Sequence, residues 1–127
     1  MRLKALKLIF FIFFSIHQLQ SKEVKTLILI IASDNHQFYK ELQKVWLSYM
    51  DLDPVHFDCY FIKSDENINS LGRIVNSTIW TSGVEQVLLP GVLNKTIASL
   101  EVLENKIENY DYIIRTNLSS FYIFVLY

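Results

Sequence analysis

Glycine and proline are scarce in this chain, with three and two in 127 residues. That excludes a sandwich or barrel built on many tight turns. The glycines stand singly, so there is no glycine-rich phosphate loop, and no G-x-S-x-G nucleophile elbow occurs. A single cysteine, Cys59, cannot close an internal disulfide. It lies in the apolar run 57–62, and the expectation is a small buried hydrophobe rather than an activated thiol. His36 and His56 stand far apart with no zinc-ligand spacing around them. The formal net charge is −1, which gives no electrostatic ground for a nucleic-acid partner. No apolar run reaches the roughly 20 residues that an ordinary membrane span needs.

Apolar residues are abundant instead. They make up 51% of the chain, enough to pack the core of one small domain. Some of that content is a targeting segment. Arg2, Lys4 and Lys7 are followed by an apolar stretch over 8–16 and by polar residues at His17, Gln18, Gln20 and Ser21. This is the layout of a secretory signal peptide over 1–21, with a short signal anchor as the alternative. Membrane contact is expected only through this segment. Without it, residues 22–127 carry nine basic and thirteen acidic side chains, a charge of −4. The expected location is secreted or lumenal, in the endoplasmic reticulum or Golgi. Asn76-Ser77-Thr78, Asn94-Lys95-Thr96 and Asn117-Leu118-Ser119 fit the N-glycosylation pattern expected of a glycoprotein on that route.

The pattern along 22–127 predicts an α/β domain. Residues 26–32 (TLILIIA) form a continuous apolar run that reads as a strand buried on both faces. Ser33, Asp34 and Asn35 end it, and Asp34 with Gln37 resembles a capping box. Phe38, Leu42, Val45, Trp46 and Tyr49 then mark one face of a helix, more readily a core face than a sugar-stacking platform. Asp53-Pro54 breaks that helix. A second strand over 55–62 leads into a polar connection over 63–77, and a short strand is expected near 78–81. Pro90-Gly91 precedes a second helix with Leu93, Ile97, Leu100, Leu103 or Glu104, and Ile107 on its apolar face, closed by Asn109. Residues 112–116 form the last strand. Alternation of this kind predicts a mostly parallel sheet flanked by helices.

Three segments, taken together and in order, carry a resemblance. They are Lys44-Val45-Trp46 on the first helix, Glu85 with Pro90-Gly91 and Lys95-Thr96 around the second, and the run from Tyr110 to Phe121. Over roughly residues 24–121 the chain resembles the GT-A glycosyltransferases of the β-1,3-galactosyltransferase and fringe type. The resemblance implies the Rossmann-like, nucleotide-binding half of a GT-A fold. It also implies descent from transferases that pass a sugar from a nucleotide-sugar donor to a hydroxyl. In that family the last segment is a strand, a basic residue, three acidic residues, a variable residue and an aromatic. Here Arg115 holds the basic place, and Asn117, Leu118 and Ser119 stand where the acids belong.

That departure has chemical consequences. The family's acidic residues hold a divalent cation, typically manganese, that neutralises the donor's diphosphate. Hard cations want charged oxygen ligands. Asn117 and Ser119 offer neutral oxygens and Leu118 offers none, so no metal cofactor is expected. Arg115, Asn117 and Ser119 are expected to line the diphosphate, with Asp34 near the nucleotide. Arg115 could instead pair with a surface acid, and Asp34 could simply cap a helix. The family's catalytic base lies beyond the acidic motif, where only the apolar residues 122–127 follow, an aggregation-prone segment if exposed. The expectation is a truncated or inactive transferase-like protein. The alternative is a secreted non-catalytic α/β binding or interaction domain.

Overall fold

A computed structural model describes Lys7 and residues 23–69, 71–83 and 91–121. Apart from Lys7, the targeting segment lies outside the described residues, as do Glu85, Pro90 and the 122–127 tail. Five strands form one sheet in the order β3-β4-β2-β1-β5. They are β1 (Thr26–Ile31), β2 (Phe57–Asp65), β3 (Gly72–Val75), β4 (Thr78–Ser82) and β5 (Tyr112–Asn117). Helix α1 (Gln37–Leu47) joins β1 to β2, and helix α2 (Gly91–Val102) lies between β4 and β5. A 3-10 turn over Glu104–Asn109 follows α2. No helix among the described residues is long and apolar enough to cross a membrane.

The sheet is mostly parallel. β1 pairs in parallel with β2 and with β5, and β2 pairs in parallel with β4. Only β3 runs antiparallel, against β4. The central strand β1 is buried on both faces, as its unbroken apolar run requires. Ile28 and Ile30 enter a core on the α1 side with Trp46, Met50, Cys59, Phe61 and Leu118. Leu27 and Leu29 enter the opposite core with Ile62, Ile79 and Leu103. Each such side chain contributes about 1.5–3 kcal/mol on leaving water. At the amino end, Lys25 and Asp111 align β1 with β5. The Asp111 amide donates to the Lys25 carbonyl at 2.8 Å, and the Lys25 amide donates to the Asp111 carboxylate at 2.9 Å.

Several sequence expectations are corrected. The polar connection over 63–77 contains the end of β2 and all of β3. β3 escapes a hydrophobicity reading because it is a short, exposed edge strand with only two apolar residues, Ile74 and Val75. A two-residue turn links it to β4, with Asn76 in the left-handed region at φ 53°. The first helix has no capping box. His36 is its N-cap, and its Nδ1 accepts from the Phe38 amide at 3.1 Å, while Gln37 donates to Glu41. Its buried face is also rotated. Phe38 and Val45 are exposed, whereas Gln43 and Trp46 are buried, with Tyr39, Leu42 and Tyr49 half-buried beside them. Gln43 goes inside because its amide donates to the Ser33 carbonyl at 2.9 Å and to Asp34 at 3.2 Å.

The second helix is rotated further. It buries Lys95 and Ser99, and leaves Leu93 and Ile97 exposed. It ends at Val102 rather than running on to Asn109. Trp46 is fully buried, as expected of a core residue. Cys59 is buried too, and burial, with Asp51 and Asp58 adding, pushes its thiol up to about 12. It is therefore a protonated hydrophobe at neutral pH.

Candidate functional site at the β1–β5 crevice

Strand order decides where a ligand could sit. From β1 the chain moves to β2 and β4 on one side of the sheet, then returns to β5 on the other side of β1. Order reverses between β1 and β5. In open parallel sheets a crevice forms outside the carboxyl ends of the strands at such a reversal. A cavity of about 370 Å³ lies there, within the usual range of roughly 300–1,000 Å³ for small-molecule sites.

Four pieces of chain line it among the described residues. The end of β1 supplies Ile31, Ala32 and Ser33, and the end of β5 supplies Asn117, Leu118 and Ser119. The first turns of α1 contribute Phe38, Tyr39 and Leu42, and α2 contributes Val92 and Lys95. The walls are thus apolar and aromatic, with a few polar groups at the strand ends.

The β5 end is held in place by α1. Ser120 donates its amide to the Asn117 carbonyl at 3.1 Å, which closes a turn. Leu118, in the middle, is 5% exposed and packs in the α1-side core. Its carbonyl accepts the Trp46 indole N–H at 2.9 Å. Asn117 and Ser119, on either side of it, are exposed at the cavity mouth. An apolar residue between two polar ones therefore anchors the turn and leaves its neighbours open to solvent.

Lys95 is the one charged residue among the described lining residues, and it is 4% exposed. Its ammonium donates to the Ala32 carbonyl at 3.0 Å, just past the last β1 pairing. On the same helix Ser99 donates back to the Lys95 carbonyl at 2.8 Å. Sequence reasoning did not select Lys95 as a site residue. Leu93, Ile97 and Leu100 supplied a more apolar stripe, and that stripe faces partly outward. The available signal was polarity at steps of four, Lys95 then Ser99, on a helix otherwise rich in aliphatic residues.

The four residues selected from sequence are divided. Asn117 and Ser119 share the cavity. Arg115 is exposed on β5 opposite Leu29 and does not line it. Asp34 lies past β1 on the side toward β2, where Lys63 holds both of its carboxylate oxygens at 2.9 and 3.0 Å. The Lys63 ammonium also sits 5.4 Å from the Trp80 ring centre, within reach of a cation–π attraction.

Partial burial pushes the Asp34 carboxyl up, but the Lys63 bond and charge, the Gln43 bond and the Lys40 charge together hold it below its ordinary value. A depressed carboxylate contributes stability above the ordinary range and loses it as pH falls through the lowered folded value. Lys63→Met should therefore raise the Asp34 titration midpoint, read by carbon-detected NMR of its carboxyl. Asp34 is 45% exposed, so the accompanying loss of stability should be small. An unmoved midpoint would refute the pairing.

No protein-family model, no curated protein and no solved structure matches this chain.

Proposed function

We propose that this chain is a glycosyltransferase-like protein whose β1–β5 crevice takes a nucleotide-sugar donor. The observation that carries the reading is a cavity at the strand-order reversal, walled by apolar and aromatic side chains and carrying Ser33, Asn117 and Ser119 at the ends of β1 and β5. Its size suits one small molecule rather than a polymer. Phe38 and Tyr39 offer aromatic surface for a flat base, and Ser33, Asn117 and Ser119 offer hydrogen-bonding groups for hydroxyl or phosphate oxygens. The resemblance of the segment from Tyr110 to Phe121 to the diphosphate-binding segment of the β-1,3-galactosyltransferase and fringe type supports the donor class. It would also place the protein on the secretory route.

In this reading Asn117 and Ser119 meet the diphosphate. Asp34 stands one step away, in its ion pair with Lys63, and shapes the loop that follows β1. The test is titration calorimetry with a panel of uridine diphosphate sugars. Saturable binding is expected for at least one of them. Ser119→Trp, an exposed substitution that fills the mouth, should weaken it about tenfold or more, a loss of about 1.4 kcal/mol, with an unchanged melting temperature. Binding unaffected by Ser119→Trp would move the ligand elsewhere, and no binding by any member of the panel would end the proposal. Released nucleoside diphosphate, followed in the same samples, separates the two functional classes. Steady release marks transferase chemistry, and binding without release marks a non-catalytic binding domain.

A further inference from the structure

Of the three tripeptides that fit the N-glycosylation pattern, the fold presents one outward. Asn76-Ser77-Thr78 begins in the two-residue turn between β3 and β4, where Asn76 is exposed and takes φ 53°. Asparagine suits that left-handed position. Thr78, at the start of β4, is partly exposed. β4 runs parallel to β2, and β2 to β1. The turn before β4 therefore stands at the amino end of the sheet, away from the crevice at the carboxyl ends. The other two tripeptides are tied into the fold. Asn94-Lys95-Thr96 lies inside α2, with Lys95 buried and the Thr96 hydroxyl donating to the Val92 carbonyl at 2.8 Å. In Asn117-Leu118-Ser119 the middle residue is packed in the core and its carbonyl accepts the Trp46 indole N–H, while the outer two line the cavity mouth.

We propose that Asn76 is the residue of this chain that carries an N-linked glycan. This rests on the secretory-route reading above. An oligosaccharyltransferase must seat the asparagine amide together with the hydroxyl two residues on, which calls for a surface loop. The β3–β4 turn offers that shape without unfolding anything. α2 would have to unwind around Asn94, and Leu118 would have to leave the core to free Asn117. The co-reactant is a lipid-diphosphate-linked oligosaccharide. A bond forms from the Asn76 Nδ2 to the sugar C1 as the C1–O bond to the diphosphate breaks. The amide gives up one proton, and the lipid diphosphate leaves. The product is a bulky, solubilising surface group. It stands beside β3, the edge strand, where Ile74 and Val75 are exposed. Covering that edge keeps a strand of another chain from pairing with it. A glycan on Asn117 would instead fill the mouth of the crevice.

The experiment translates the whole chain in the presence of endoplasmic-reticulum microsomes and digests the product with peptide N-glycosidase F, which converts a glycosylated asparagine to aspartate. Mass spectrometry against an undigested control should find that conversion at position 76 and at neither 94 nor 117. Asn76→Asp, which keeps a residue tolerant of the turn, should abolish the glycan-dependent gel shift. Asn94→Gln and Asn117→Gln should leave it whole. Conversion at 94 or 117, or a shift that survives Asn76→Asp, overturns the inference. The mapping is made on the unsubstituted chain, so it does not depend on the folding of any variant. A chain protected from added protease inside the microsomes, yet without a glycan, removes this inference and leaves the secretory reading standing. A chain left outside and open to the protease removes both.

Discussion

Trp46→Ala is expected to destabilise the domain by about 3–5 kcal/mol, the range for emptying a large aromatic site. Trp46 is fully buried, and its ring stacks on Tyr49 at 5.1 Å and on Phe121 at 5.9 Å between centres. It also joins two parts of the chain 72 residues apart through the indole N–H on the Leu118 carbonyl. Packing and hydrogen bonding can be separated. Trp46→Phe keeps an aromatic ring but leaves the buried Leu118 carbonyl without that donor, at a cost of about 1–3 kcal/mol. Because Leu118 lies between Asn117 and Ser119, the Phe variant should lose ligand affinity beyond its share of lost stability. Urea titration gives the stability, and calorimetry on the folded variant gives the affinity. A Phe variant that binds as well as the parent would show that the indole bond does not position the turn.

Gly72→Ala should be much more damaging than the same change at Gly83. Gly72 has φ +142°, a conformation that a side chain rarely adopts. A Cβ there would stand 2.4 Å from the Trp80 carbonyl oxygen and 2.9 Å from a Val102 methyl. The first of these is backbone of the paired strand and cannot swing away. Gly83 supplies the control. Its φ is +131°, but an added Cβ meets nothing within 4 Å. Gly83→Ala should therefore cost the conformational strain alone, about 1–3 kcal/mol. Gly72→Ala should cost that much plus about 1–3 kcal/mol for displacing β4 or the end of α2. β3 is the far edge strand, with β4 and β2 between it and β1. Any folded Gly72→Ala protein should keep its ligand affinity while its melting temperature falls. Equal melting temperatures for the two variants would refute the steric argument.

The elements that could be read from sequence were those whose side chains are all committed to one environment. β1 could be read because six consecutive apolar residues, Leu27 to Ala32, have no polar face to present, and the sheet buries that strand on both sides. The core of β2 follows the same logic, whereas β5 is an edge strand with Tyr112, Ile113 and Arg115 exposed, and it was legible only as a short apolar run. β3 could not be read, because an exposed edge strand beginning at a glycine has no hydrophobic signature. The helices were located correctly but turned wrongly. Counting apolar residues assumes that burial follows apolarity, and here two polar side chains, Gln43 and Lys95, are buried because the ends of the β1 segment present the Ser33 and Ala32 carbonyls to them. The Ala32 carbonyl is 63 residues from Lys95, and the Ser33 carbonyl reaches Gln43 only once the loop after β1 has folded back on the helix, so no helical periodicity announces either.

The site divides in the same way. Asn117 and Ser119 follow a strand run directly, and being next to each other's neighbour Leu118 was enough to place them at one strand end. Arg115 instead lies within β5, exposed and in register with Leu29, and Asp34 is held by Lys63 of β2. Adjacency in sequence says which end of the sheet a residue occupies and not which side of a strand a neighbour will take.

The amino-acid order alone determined that an α/β domain forms, where its central strands lie, and that the last strand ends in a turn without acidic side chains. Those are consequences of which residues avoid water and which cannot, and they need no knowledge of partners. Only the tertiary structure decided that β5 crosses to the far side of β1, that Lys95 turns inward against the Ala32 carbonyl, and that Trp46 holds the turn through Leu118. Each of these depends on groups 63 or 72 residues apart meeting in space, or on the order in which strands join the sheet. Such meetings are settled by packing the whole chain at once.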